Sequence, residues 1–311
     1  MSYKLFIILF VFCGFAAISC SLKKVKEEKT TDKKNEQEVI EKKSEKKAVN
    51  TAGGLLSNYD ISSQDPQVLK LSSVLMEISG ITFTPDNRLF THGDEYGDIY
   101  ELNPDDGKII KMFSLGDIKV IKGDFEDIAY ANEKFYLLES KGKLYEFSEG
   151  INGSFADYKT YKTSLNSKNN TEGLCYDPET NSLLLACKDF GGDDYAKDKT
   201  VYSFSLEKMT MQEIPRFIIS NKKIKNNTEE GKFHPSGIAR NPVSGTFFII
   251  AARGNTILEL SKEGDILGQD DLPESVHKQA EGIAFKSDGT LYISDEGRGN
   301  TPLIVIYPLK K

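Results

Sequence analysis

Five stretches of this chain are variations on one another, and that repetition limits the possible folds more than any other feature. They are "MEISGITFTPDNRLFTHGDEYGDIYEL" from Met76, "DFEDIAYANEKFYLLESKGKLYEF" from Asp124, "NTEGLCYDPETNSLLLACKD" from Asn170, "HPSGIARNPVSGTFFIIAARGNTILEL" from His234 and "AEGIAFKSDGTLYISDEGRGN" from Ala280. Superposed on Gly80, Asp127, Gly173, Gly237 and Gly282 they step by 47, 46, 64 and 45 residues. Within the first repeat, "GITFT", "RLFTHG", "DIYEL" and "KIIKMFSL" are short β-type runs separated by Pro-Asp-Asn and Asp-Gly turn signals. Four antiparallel strands per unit, repeated radially, predict an all-β fold: a β-propeller of four-stranded blades.

The two ends of the chain suggest how the ring closes. The last repeat reaches Lys311 with only three strands, while "PQVLKLSS", Pro66 to Ser73, is a strand-like run ahead of the first. The expectation is five blades, with the N-terminal strand completing the last one and leaving no open edge. The 64-residue step leaves room for a sixth blade of distorted strands.

Upstream of the repeats, residues 1–20 carry Lys4 and the apolar run "LFIILFVFCGFAAIS", of secretory rather than membrane-spanning length. "AISC" resembles a bacterial lipobox, which makes Cys20 the acylated N-terminus of a lipoprotein; Ser21 behind it resembles lipoproteins exported to the outer membrane. Residues 21–55 begin with a Lys/Glu-rich stretch almost free of large apolar groups, and they read as a disordered tether. Residues 56–311 hold the propeller. The localisation that follows is the cell envelope, with the lipid bilayer as one partner through Cys20.

Charge narrows the choice of ligand. The chain is formally −7, but residues 51–311 alone carry 29 basic and 40 acidic groups. A folded part this acidic is unsuited to nucleic acid and favours cations or cationic ligands.

In a propeller the first strand of each blade lines the central channel. Equivalent strand starts therefore bring Glu77, Glu126, Glu172, Ser236 and Glu281 into one ring, with Glu77 standing slightly off it. A second set stands at the ends of the next strands: Asp94 and Glu95, Glu139, Lys188 and Asp189, Arg253, then Asp295 and Glu296. Converging carboxylates repel unless a cation joins them or some are protonated. Glu77, Glu126, Glu172, Glu281, Asp295 and Glu296 are thus candidate ligands for Ca²⁺, which takes hard oxygen donors in loose geometry. Blade-to-blade locking through backbone N–H groups and direct contact with a ligand are the other roles open to them.

The starts "E-x-S-G-I" and "E-G-I-A", with "GDEYGDIYEL", "LLESKGKLYEF" and "EGIAFKSDGTLYISDE", resemble the SdiA-regulated family of bacterial envelope proteins over residues 66–308. The resemblance implies a β-propeller, an association of some members with calcium, and no established activity. No catalytic residue is assigned: His92, His234 and His277 lack metal-ligand spacing, and G-x-S-x-G and H-E-x-x-H are absent. His92 and His234 both stand near blade ends, where they could meet. Cys175 and Cys187 fall on adjacent strands, as two buried thiols or as a disulfide if their register is opposed. The insertion "KDFGGDDYAKDKT" is a surface loop, a cap on the channel or a cation-binding loop. The functional expectation is a monomeric binding or scaffolding propeller for an envelope ligand, glycan or protein, with Ca²⁺ at its channel; the alternative is a Ca²⁺-dependent hydrolase.

Overall fold

A computed structural model describes residues 54–225 and 233–310 of the chain. Cys20, the signal segment and nearly all of the tether lie outside the described residues. Five antiparallel blades form a β-propeller, and blade V is completed by the N-terminal strand Gln67–Lys70 pairing with Leu303–Tyr307. The inner strands are Ile78–Phe83 (blade I), Phe125–Ala131 (II), Thr171–Asp177 (III), Gly237–Arg240 (IV) and Ala280–Phe285 (V). Among the described residues the long step between blades III and IV holds no sixth blade. It contributes Phe217–Ser220, which pairs with the third strand of blade III, Asp198–Ser205, beyond the two-residue strand Thr210–Met211. Blade I gains a parallel outer piece, Phe155–Ala156.

Side chains alternate along each strand, so every blade offers apolar groups to both neighbours. The result is five separate apolar seams. Ile81, Leu89 and Tyr100 meet Tyr292 and Ile304 between blades I and V, while Phe90 and Phe113 meet Phe135 and Phe147 between I and II. Burial on both faces explains why second strands such as Ser182–Cys187 are buried throughout rather than alternating.

The repeated glycine marks the closest approach of one blade to the next. A Cβ on Gly237 would stand 2.7 Å from the carbonyl oxygen of Glu281, and one on Gly282 would stand 2.6 Å from that of Ser79. Blade II replaces this glycine with Asp127, whose carboxyl accepts from Leu174 N of blade III at 2.6 Å and from Ile128 N at 2.8 Å. Serines tie other seams: Ser79 Oγ donates to the Glu126 carbonyl, Ser236 Oγ to that of Ala280 and Ser294 Oγ to that of Ser79.

The segment ahead of the closing strand is bolted across the seam between blades IV and V. Leu56, Tyr59 and Ile61 are buried in the core of that seam. Leu56 N donates to Glu259 Oε2 at 2.7 Å, and the Tyr59 hydroxyl donates to Gly289 O at 2.7 Å while accepting from Asn241 Nδ2 at 2.8 Å. Asn241 and Gly289 lie in the turns where inner strands end. The clasp therefore sits at the lower end of the propeller, opposite the end where inner strands begin.

Candidate functional site

At the upper end, three inner strands carry a β-bulge at the same place. Register slips between Phe125 and Asp127, between Thr171 and Gly173, and between Ala280 and Gly282, so Glu126, Glu172 and Glu281 are the extra residues. A bulged residue leaves the pleat and re-aims its side chain. Blades III and V are not neighbours, yet Glu172 and Glu281 act on each other electrostatically, which places both carboxyls at the channel. The ring expected from the sequence is therefore present for these three acids.

Glu77 does not belong to it. Blade I slips between Ile78 and Ile81, so Ser79 takes the bulge position, and Glu77 precedes the strand on a rim cavity with Asp94 and Glu95. The two serine positions of the ring, Ser79 and Ser236, use their hydroxyls to lock blades. The carboxyls of the three glutamates are not part of that locking.

Lys188, directly after the second strand of blade III, supplies the cation of the cluster. Its Nζ lies 2.6 Å from Glu172 Oε2, and Asn170 Nδ2 donates to Glu172 Oε1 at 2.9 Å. Burial works against the ammonium, but Glu172, Glu281 and Glu126 together hold its pKa above the ordinary lysine value. Burial, then the Glu172 charge, pushes Glu126 up to about 9. Burial raises Glu172 to about 7 against the pull of Lys188, and burial with the Glu172 charge raises Glu281 to about 8. Among the described residues nothing donates a hydrogen bond to the Glu126 carboxyl. One ammonium faces three acids, and at neutral pH the balance is made up by protons.

The second set of acids separates into different roles. Asp295 is buried and faces away from the channel, accepting from His277 Nδ1 at 2.7 Å and from Gln279 N at 3.1 Å. His277 Nε2 in turn lies 2.8 Å from the Tyr307 hydroxyl, so this triad is an internal brace of blade V. Glu296 stays at the mouth, raised by burial and by Asp94 and Glu77 across the rim. Glu139 accepts from the Tyr145 hydroxyl at 2.9 Å beside Lys143, within blade II. On the opposite side of the mouth, His234 Nδ1 lies 3.1 Å from Asp189 Oδ1, with Lys199 and Arg253 in electrostatic reach.

The remaining candidates resolve individually. His92 is fully buried, lies 2.8 Å from the Gly93 carbonyl through Nδ1, and is pushed by burial to about 4; it does not pair with His234. Cys175 and Cys187 are free and buried, and Cys175 faces Leu184 while Cys187 faces Thr171, so their register is not opposed. The insertion folds its first part onto blade III, where the Tyr202 hydroxyl donates to Gly191 O at 2.8 Å.

Ca²⁺ takes six to eight oxygen donors. Among the described residues no three His, Cys, Asp or Glu groups meet in metal-holding geometry, and the Lys188 ammonium already bridges toward the acids. As arranged, this donor set does not fit Ca²⁺. Its chemistry is that of buried carboxyls sharing protons around one ammonium.

Solved structures of similar shape include the glutaminyl cyclase of Myxococcus xanthus, at TM-score 0.52 and 14% identity, over 78% of this chain and 94% of that one. The PQQ-bound aldose sugar dehydrogenase of Streptomyces coelicolor follows at TM-score 0.49 and 12% identity, over 79% of this chain and 98% of that one. At these identities the likeness concerns the fold alone. No curated protein matches the chain in sequence. The SdiA-regulated family matches residues 52–189 and 211–306, and the chain belongs to that family.

Proposed function

We propose that this SdiA-regulated propeller is a binding module of the bacterial envelope, tethered through acylated Cys20, that receives a ligand's cationic group at its upper mouth. The observation that supports this reading is the cluster of Glu126, Glu172 and Glu281 around Lys188. Its carboxyls are buried, mutually repelling and not used for blade locking. Burying unlike and like charges in this way destabilises a fold, and such arrangements concentrate at functional sites. A cationic group beside Glu126 lowers its pKa and displaces a proton, so binding is coupled to proton release.

The test is calorimetric titration of the protein with a panel of amines, amino acids and CaCl₂, in two buffers of different ionisation enthalpy near pH 7.5. The reading expects a ligand whose heat differs between buffers and whose binding is lost in Glu126→Gln. Ligands that bind equally well to Glu126→Gln would sink it. Chelator-sensitive hydrolysis of lactone or phosphate-ester substrates, with stoichiometric Ca²⁺, would replace it with the hydrolase alternative.

A further inference from the structure

The lower end of the propeller carries a second cleft that none of the mouth chemistry explains. It is a groove of about 540 Å³ between the turns of blades I, II and III, walled by Tyr130 and Tyr176. The same two tyrosines also wall a smaller space of about 150 Å³ at the lower end of the channel, so the two cavities adjoin. Both rings are partly exposed.

The polar groups around these rings are fixed in place. The Tyr176 hydroxyl lies 3.1 Å from Asn132 Oδ1 and 3.0 Å from Asn181 Oδ1, and Asn132 Nδ2 donates to Asn181 Oδ1 at 2.9 Å. Arg88 grips Glu101 with two bonds of 2.8 and 2.7 Å, and Glu149 with two of 2.8 and 2.5 Å. Lys111 pairs with Glu149 from the other side. Tyr130 packs edge-on against Phe135 with ring centroids 4.9 Å apart, and its hydroxyl has no hydrogen-bond partner among the described residues.

The backbone at the rim is held in an unusual form. The two-residue turn joining the first strands of blade II puts Asn132 at φ 49° and Glu133 at φ 61°. Turns of this type favour Asn-Gly, and a glutamate in the left-handed region costs about 1 kcal/mol. Strain kept at the edge of a cleft is a mark of use.

We infer that this groove binds a neutral saccharide, stacking a pyranose ring on Tyr130 and Tyr176 and engaging its hydroxyls with Asn132, Glu149 and Arg88. A sugar offers an apolar C–H face and a rim of hydroxyls, and the groove offers ring faces beside planar, pre-oriented polar groups. Arg88 and Lys111 answer Glu101 and Glu149, while Asp86 and Glu133 in the lining are left as acceptors for sugar hydroxyls and disfavour an anionic ligand. Its volume lies within the usual range for small-molecule sites, about 300–1,000 Å³.

The experiment is saturation-transfer NMR and calorimetry of the whole protein with four neutral trisaccharides: maltotriose, cellotriose, mannotriose and chitotriose. At least one binds, and its affinity falls by about tenfold or more in Tyr176→Ala and in Tyr130→Leu, a loss of roughly 1.4 kcal/mol for one stacking face. Glu126→Gln, at the far end of the channel, leaves that affinity unchanged, which separates this groove from the upper mouth. Asn132→Ala is the second probe, because it touches the Tyr176 network without removing an apolar side chain from a seam. Failure of all four sugars to bind overturns the inference, as does binding that survives both tyrosine substitutions.

Discussion

Replacing Glu126 by Gln keeps the shape of the side chain and removes its titration. In the folded protein Glu126 ionises only at about 9, against 4.5 for an ordinary glutamate. The sign follows from linkage: below the ordinary value both folded and unfolded forms are protonated, and the shift contributes nothing. As pH rises, the unfolded chain releases the proton first, so native stability falls until the folded-state pKa is passed. At pH 7 the full shift would cost about 3 kcal/mol at roughly 1.4 kcal/mol per unit. Relaxation of the cluster and water entry reduce this, so we expect Glu126→Gln to stabilise the protein by about 1–3 kcal/mol at pH 7. The gain should be near zero at pH 4 and largest near pH 9. Urea unfolding of both proteins at these pH values, followed by tyrosine fluorescence with m-values compared, measures it directly. A variant that is less stable than the parent at pH 9, or a difference independent of pH, would falsify the proton-sharing account of the mouth.

Two further substitutions examine what holds the ring. Asp127→Ala leaves the buried Leu174 N–H and Ile128 N–H without their acceptor, and it should cost about 2–4 kcal/mol in the same unfolding assay. Tyr59→Ala empties a fully packed site in the seam between blades IV and V. The expected loss is about 3–5 kcal/mol, with faster exchange of amides in Gln67–Lys70; no change in either would remove the N-terminal clasp from the account of ring closure.

The architecture was readable because repetition, strand alternation and turn residues all pointed the same way. Even the closure of blade V followed from a strand missing at one end and present at the other. The site was readable only in part. Superposition on the glycine that touches the next blade already sets Ser79 at the ring position; Glu77 entered the ring only as the nearest acid of its repeat. Asp295 looked equivalent to Glu296 because strand-end residues alternate between two blade faces, and only the partner His277 decides which way it turns. Lys188 stood in the sequence among acidic equivalents, but its role depends on carboxyls from blades II, III and V meeting across the channel. The groove at Tyr130 and Tyr176 left a fainter signal: an aromatic three residues beyond the aligned glycine position in four of the five repeats, Phe83, Tyr130, Tyr176 and Phe285.

The clasp at the seam of blades IV and V also sets a load path. A pull applied on the N-terminal side of Gly54 reaches Leu56 and Tyr59 first, and their bonds to Glu259, Asn241 and Gly289 lead the force into two turns and a strand of blades IV and V. Lys310 N also donates to the Asn58 carbonyl at 3.0 Å, so the C-terminal segment shares the load. Only after these contacts give way does tension arrive at Gln67–Lys70, whose pairing with Leu303–Tyr307 keeps the circle shut. Traction on the chain ahead of Gly54 is thus absorbed by the clasp before the ring's closing joint is strained.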